Sequence, residues 1–166
     1  MSAMKRKPVS VESALAQAES LCARSEHCSG EIRDRLWRKG IRGQQAETII
    51  DSLIDRRFVD DERFARAFVH DKVNFARWGR RKIALAMAAK HLDRDTITDA
   101  LESIDPDIYN NNLRSIIKLK ISQGIDASVY ENRQRLLRFA VSRGYEPSLV
   151  MSVLQQLDDD SSMLQS

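Results

Sequence analysis

The sequence predicts an all-α protein built from three tandem three-helix repeats that form an elongated, curved, solenoid-like array. Apolar residues recur at helical spacing along almost the whole chain, and no stretch of strict alternation persists. One set of apolar residues also comes three times, at an interval of about fifty residues, which is typical of helical repeats. With 6 Gly and 3 Pro among 166 residues, the composition argues against a turn-rich all-β fold.

Nine helices are predicted, and six of them have a start signal in a residue that can serve as an N-cap. These residues are Ser10, Ser29, Asp60, Asp93, Asp105 and Glu146. Asp105 and Glu146 each precede a proline, which the first helical position tolerates because its missing N–H would be unpaired there. Helix ends are predicted at Gly40, Gly124 and Gly144, since glycine accepts the left-handed conformation of a C-cap.

Four apolar positions define the repeat, and they recur 51 and then 53 residues further along the chain. They are Ile32, Leu36, Ile50 and Leu53, then Ile83, Met87, Leu101 and Ile104, then Leu136, Ala140, Leu154 and Leu157. A longer helix precedes each set, at about 10–23, 60–75 and 106–122. Repeats this small cannot bury an apolar face alone, so neighbouring repeats must stack.

The predicted modules are residues 1–57, 58–104 and 105–158, followed by an acidic and polar tail at 159–166. The N-terminal segment MSAMKRKPVS is basic, but no apolar stretch follows it, so no secretory signal is expected. No apolar run is long enough to cross a membrane. The sequence therefore favours a cytoplasmic location.

Three consecutive acids, Asp60, Asp61 and Glu62, allow three interpretations. As a helix start, Asp60 caps the first turn and the other two acids lie where the helix dipole favours negative charge. As a catalytic pair they are poorly placed, because paired carboxylates usually converge from separate elements. A magnesium site would want fewer carboxylates and a substrate phosphate. The helix start is the favoured interpretation.

The helix that follows these acids is predicted to be amphipathic, with an aromatic face. Its apolar side is expected to comprise Phe64, Phe68 and Phe75 together with Ala65, Val69 and Ala76. In the next helix, Ile83, Leu85 and Met87 are expected to form the core face. The basic residues at the start of that helix would then be exposed.

Motifs of the common enzyme and nucleotide-binding classes are missing from the sequence, including the P-loop, the dinucleotide-binding glycine motif and the zinc-protease helix. His27, His70 and His91 are scattered. Cys22 and Cys28 lack enough neighbouring ligands for zinc, so reduced, structural cysteines are expected. The sequence thus predicts no enzyme activity, no cofactor and no metal.

The net charge is only +3, but the basic residues are concentrated in one segment. Between Ala76 and Arg94 there is a single acid, Asp93, against six cations. These are Arg77, Arg80, Arg81, Lys82, Lys90 and Arg94. Such a run is either a solvated face or a surface for a partner of opposite charge. Trp37 and Trp78, both beside basic residues, either cover the core between modules or anchor an arginine-rich binding surface.

Two segments resemble the RecX family of recombination regulators. They are RRFVDDERFARAFV followed by RWGRRKIALAMAAKHLD, and the preceding SGEIRDRLWRKGI. The resemblance is densest from Ser29 to Leu101 and weaker in the third module. Where the family often ends its second module in Lys-Gly-Ile, this chain has Lys90-His91-Leu92, and most of a Gly-rich link is replaced by 74–78.

The resemblance implies three tandem three-helix repeats that bind the RecA recombinase filament, lie in its helical groove and depress its ATPase and strand exchange, thereby modulating DNA repair. It brings no catalytic residue, small-molecule substrate or cofactor. The residues expected to face the filament are Arg77, Trp78, Arg80, Arg81 and Lys82, aided by Arg33, Arg38, Lys39, Arg63 and Arg66. Reversal of Arg80 and Arg81 is expected to leave folding intact.

The alternative is a helical DNA-binding module that acts through non-specific phosphate contacts, because helix–turn–helix pairs occur in the chain. A base-reading helix would present several polar and basic residues at its start. The segment RGQQAETIIDSL offers Arg42, Gln44 and Gln45 and then becomes acidic, which disfavours this alternative. Weak binding of single- or double-stranded DNA stays open.

Overall fold

The computed structural model describes residues 9–164, and within this range the chain forms nine α-helices and no strand. In order these are α1 (Val11–Arg24), α2 (Ser29–Arg38), α3 (Gln44–Asp55), α4 (Asp61–Asn74), α5 (Arg80–Ala89), α6 (Arg94–Glu102), α7 (Pro106–Ser122), α8 (Tyr130–Ser142) and α9 (Pro147–Met163). The all-α repeat array is confirmed. The exact module boundaries stay a prediction, and α9 continues through Asp158–Asp160 into the segment expected to be a tail.

Four of the six predicted N-caps are made by the expected side chains. Ser10, Asp60, Asp93 and Asp105 each accept a hydrogen bond from a backbone N–H of the first turn, at 3.1, 2.9, 2.8 and 2.8 Å. Ser29 is a correction: it is the first helical residue of α2, Cys28 occupies the cap position, and the Ser29 hydroxyl is bonded elsewhere. Glu146 holds the cap position of α9 without a side-chain cap bond.

The turn after the second helix of each triplet has a left-handed residue at the same place. Gly40, His91 and Gly144 have φ values of 83°, 62° and 98°. The predicted helix ends at Gly40 and Gly144 are thus confirmed. His91 adopts the same conformation without the freedom of glycine, so the second module keeps the turn although it has no glycine there.

Two hydrophobic cores hold the array together. One lies among α1–α3 and includes Ile32, Leu36, Ile50 and Leu53, each no more than 2% exposed. The other is shared by α4–α9, and the equivalent residues Ile83 and Leu136 are fully buried in it. Burying one such side chain stabilises a fold by about 1.5–3 kcal/mol, so the repeated apolar positions are what fix the helix triplets. Leu101 and Leu157 are only partly buried.

Two apolar residues expected in the core are exposed. Phe75 is 78% exposed because α4 ends at Asn74, so this side chain lies beyond the last turn that packs on a neighbour. Leu85 is 73% exposed because residues two apart in a helix do not share a face with Ile83 or Met87. Val73 completes the buried side of α4 instead.

The first and second modules meet where the start of α2 reaches α4 and the end of α5. The Ser29 N–H and hydroxyl donate to the two carboxylate oxygens of Asp61 at 2.7 and 2.5 Å. A Cβ on Gly30 would lie 2.0 Å from the carbonyl oxygen of Lys90, and Lys90 also pairs with Glu31. Asp60 is therefore the helix cap, as predicted, whereas Asp61 joins two modules.

Candidate partner-binding surface

The turn before α5 forms the equivalent junction with the third module, at the α8–α9 turn. The Gly79 N–H donates to the Arg143 carbonyl at 2.8 Å, and the Arg81 N–H donates to the Gly144 carbonyl at 3.1 Å. A Cβ on Gly79 would lie 2.1 Å from the carbonyl carbon of Gly144. The basic turn is therefore held rigidly by backbone contacts with the third module.

Arg80 is part of this junction rather than a freely exposed cation. Its N–H donates to the Tyr109 hydroxyl at 2.9 Å, and its guanidinium lies 4.0 Å from the Tyr109 ring centroid and 3.4 Å from a Glu146 carboxylate oxygen. The Tyr109 hydroxyl in turn donates to Glu146 at 2.7 Å. The backbone and the charge of Arg80 both have partners in the third module, and the effect of its reversal on folding stays a prediction.

Two buried tyrosines complete the junction. The Tyr109 and Tyr145 rings pack with centroids 5.0 Å apart, and the Tyr145 hydroxyl donates to the Arg77 carbonyl at 2.9 Å. Burial raises the pKa of Tyr145 to about 12. Burial, reinforced by the neighbouring Glu146 carboxylate, also holds the pKa of Tyr109 far above its usual range. Both hydroxyls therefore stay protonated and act as donors.

The side chains that project outward from this junction form a basic group around one tryptophan. The Trp78 ring packs on the core edge and has Lys82 Nζ 4.4 Å and Lys72 Nζ 4.6 Å from its centroid. Arg77 and Arg81 are exposed, and in residues 9–164 no carboxylate lies within 4 Å of their charged nitrogens. We call Lys72, Arg77, Trp78, Arg81 and Lys82 the Trp78 patch.

Sequence reasoning missed Lys72 as a member of this patch. It lies on α4, and the chain leaves the helix after Asn74, so helical spacing cannot relate Lys72 to Trp78. The only local signal is its position one turn after Phe68, whose ring centroid is 5.2 Å from Lys72 Nζ. The Trp78 contact depends on how the chain turns back toward α5.

The joining of the first-module cations to this surface stays a prediction, and the contacts they make in the structure are elsewhere. Arg33 forms a bidentate pair with Glu47 at 2.8 and 3.1 Å. Arg38 and Lys39 lie at the end of α2, whereas α2 meets α5 at its start, where Gly30 contacts Lys90. They therefore lie at the end of α2 away from that contact, and the start of α5, with Arg81 and Lys82, is likewise the end of α5 away from it.

The remaining candidates, on α4, are partly neutralised. Arg63 forms a bidentate pair with Glu26 at 2.7 and 3.2 Å, and Arg66 lies 3.5 Å from Glu62 one turn away.

Trp37 is 56% exposed and stacks under the Arg42 guanidinium at 3.7 Å. Trp37 therefore does not cover the core. Trp78 does pack on the core, and Lys72 and Lys82 lie against its ring.

In 9–164, no group of three or more His, Cys, Asp or Glu side chains could hold a metal ion, and no helix is long and apolar enough to cross a membrane. Cys22 and Cys28 are free, and burial raises the pKa of both thiols. His27 is hydrogen-bonded to Ser25 and Glu31 at 2.9 Å each.

The chain is similar in sequence to proteins named RecX. Residues 60–101 match the family model described as RecX, second three-helix domain. The regulatory protein RecX of Clostridium perfringens strain 13 is 27% identical over 135 residues, covering 80% of this chain and 63% of that protein. The regulatory protein RecX of Mycolicibacterium smegmatis is 24% identical over 146 residues, covering 83% of this chain and 78% of that protein.

A solved structure shares the fold. The crystal structure of RecX from Lactobacillus salivarius superposes with a TM-score of 0.79 at 20% identity, covering 89% of this chain and 96% of that one. The chain thus matches almost the whole of that solved structure, although it spans about three-fifths of the Clostridium perfringens protein.

Proposed function

Because the chain belongs to the RecX family, we propose that it is a regulator of the RecA recombinase that binds the recombinase filament in the cytoplasm. In this proposal it lies in the filament groove and depresses ATPase and strand-exchange activity. It acts by binding alone, without catalysis or a cofactor. An array of stacked modules suits this role, since contacts with two filament subunits make the second contact effectively intramolecular.

The observation that carries the proposal is the Trp78 patch. Arg77 and Arg81 are exposed and without a carboxylate partner in the described part of the chain, although eight Arg or Lys side chains form ion pairs there. The junction with Gly144 and Tyr145 fixes the backbone from which they project. A rigid surface loses little entropy on binding, and its charge fits a partner lined by acids or phosphates.

The other cations then have graded roles in this proposal. Arg38 and Lys39 form a separate basic area on the first module. Arg33, Arg63 and Arg66 reach a partner only if they leave their carboxylates, so they contribute less. Arg80 acts as a positioning residue, because it holds the turn through Tyr109 and Glu146.

The test is a titration of recombinase ATPase on single-stranded DNA with the Arg77→Glu/Arg81→Glu variant. We expect inhibition to weaken about tenfold or more, because charge reversal at a complementary interface costs a few kcal/mol. Arg94→Glu, in the first turn of α6 at the opposite end of α5, is the control for position, and the single variants Arg77→Glu and Arg81→Glu match it in charge change. Full inhibition by the double variant would exclude the Trp78 patch as the filament-binding surface.

The DNA-binding alternative draws on the same residues, since exposed cations beside an aromatic ring suit single strands. Fluorescence anisotropy with labelled single- and double-stranded DNA distinguishes the two functions. A regulator that acts on the filament inhibits at concentrations where it leaves free DNA unbound. If inhibition instead follows DNA occupancy and falls with salt in parallel, DNA binding is the function.

A further inference from the structure

An open groove runs between α1 and α2 of the first module, on a surface separate from the Trp78 patch. Its volume is about 570 Å³. The floor is apolar and consists of Ala14, Ala18, Leu21, Ile32 and Leu36. A groove of this size with such a floor is large enough to receive bulky side chains.

The groove exists because small residues stand where the other modules have large ones. The positions concerned are the fourth and eighth residues after the N-cap of the first helix in each module. These are Ala14 and Ala18 after Ser10, Phe64 and Phe68 after Asp60, and Tyr109 and Leu113 after Asp105. All six side chains face the interior side of their helix, and Leu113 is fully buried. Only the first module has no large side chain at these positions, where Ala14 and Ala18 are 1% and 8% exposed.

The second module shows what fills the equivalent space. The Phe64 and Phe68 rings stack with centroids 5.9 Å apart, and Lys90 Nζ lies 5.8 Å from each ring. Lys90 is the C-cap of α5, and its counterpart Lys39, the C-cap of α2, lines the groove of the first module. The cation is present in both modules, whereas the two aromatic rings are missing from the first.

The rim of the groove is basic and lacks internal counter-charges. Arg24, Arg35, Arg38 and Lys39 line it, no acid does, and in the described chain no carboxylate lies within 4 Å of their charged nitrogens. Lys39 is bonded to the neutral Gln17 side chain. The charge that complements this rim is therefore negative.

We propose that this groove binds an acidic amphipathic helix of a partner protein, which inserts two large apolar side chains one helical turn apart at Ala14 and Ala18. The inserted side chains take the place that Phe64 and Phe68 hold in the second module, and acidic residues flanking them pair with the rim. The chain's own N-terminal segment has the wrong charge for this groove, with Lys5, Arg6 and Lys7. The proposal does not require the partner to be RecA.

The probe is a labelled synthetic helical peptide rich in glutamate with two phenylalanines four residues apart. Two control peptides replace either the phenylalanines with alanine or the glutamates with lysine. In fluorescence anisotropy with the full chain, we expect each control to bind at least about tenfold more weakly, since losing apolar insertion or charge pairing each removes more than 1.4 kcal/mol. Absence of saturable binding by the parent peptide overturns the proposal.

Two variants of the protein locate the binding. Ala14→Phe/Ala18→Phe occupies the groove from within and should abolish peptide binding. Arg35→Gln/Arg38→Gln should weaken binding about tenfold with little change in melting temperature, and it keeps the test valid if the filled variant folds poorly. Binding that survives both changes overturns the proposal. So does self-association of the parent in sedimentation that the filled variant abolishes, because a second copy would then be the occupant.

Discussion

Gly79 and Gly144 lie in direct backbone contact across the junction of the second and third modules. The Gly79 N–H bonds the residue before Gly144, and the Arg81 N–H bonds the Gly144 carbonyl. Gly144 has a φ of 98°, whereas the Gly79 φ of −81° is open to any residue. Gly79 is thus required for close approach and not for backbone conformation.

Replacement of Gly79 by alanine should therefore destabilise the protein by about 3 kcal/mol, at the upper end of overpacking, because the added Cβ would meet main-chain atoms that cannot move aside. Urea unfolding followed by circular dichroism measures this loss. Gly124→Ala is the control: its φ of 100° makes alanine strained, but nothing lies within 4 Å of the new Cβ. Its cost should stay near 1–2 kcal/mol. Equal losses for the two variants would argue against the close approach.

The three acids at the start of α4 should differ in their effects. Asp61→Ala removes two hydrogen bonds between modules and should cost about 2–3 kcal/mol, since bonds to a charged group are worth more than neutral ones. Asp60→Ala removes a helix cap and should cost about 0.5–2 kcal/mol. Glu62→Gln, at an exposed position, should stay within about 0.5 kcal/mol. Thermal unfolding ranks the three.

Magnesium tests the same segment for a metal site. The Asp60 and Asp61 carboxylates are engaged by backbone N–H groups and by Ser29. We therefore expect added magnesium to leave the melting temperature of the parent unchanged. A rise of several degrees that disappears in Asp61→Ala would contradict the assignment of these acids to capping and to the module junction.

Arg80 and Arg81 are neighbours with different expected roles. Arg80→Ala removes a half-exposed pair with Glu146 and a contact with the Tyr109 ring, so it should cost about 1 kcal/mol. Arg81→Ala should stay within about 0.5 kcal/mol, as exposed positions commonly do. Denaturant midpoints measured side by side provide the comparison. A larger loss for Arg81→Ala would reverse the assignment of the two arginines.

Tyr145 should make stability fall at alkaline pH. Its folded pKa of about 12 lies above the ordinary value of 10.0, so the neutral form is favoured by folding. The resulting stabilisation is complete below pH 10 and is lost as the pH rises through 12. We expect Tyr145→Phe to flatten part of this decline while costing about 0.5–1.5 kcal/mol at neutral pH for the lost hydrogen bond to Arg77. Tyr130→Phe, at an exposed position, should keep the parent's decline.

Much of the fold could be predicted from local patterns. The caps at Ser10, Asp60 and Asp93 depend on a side chain three residues from its partner, and the buried Ile32, Ile83 and Leu136 depend on helical periodicity. Both are short-range properties of the chain. The expectation for Phe75 was wrong because helical periodicity was extended beyond Asn74, where α4 ends. The expectation for Leu85 was wrong because a residue two positions from Ile83 and Met87 does not lie on their face of the helix.

By itself, the sequence determined the helices, their order and the threefold repeat of the apolar faces, because each follows from spacing within about fifty residues. Only the tertiary structure decided which charged side chains have partners in another module and which do not. Asp61 differs from Asp60 because it is bonded to Ser29, 32 residues away. Arg80 differs from Arg81 because it is bonded to Glu146, 66 residues away. An ion pair or a close backbone contact depends on distance in space, and stacking of the modules sets that distance.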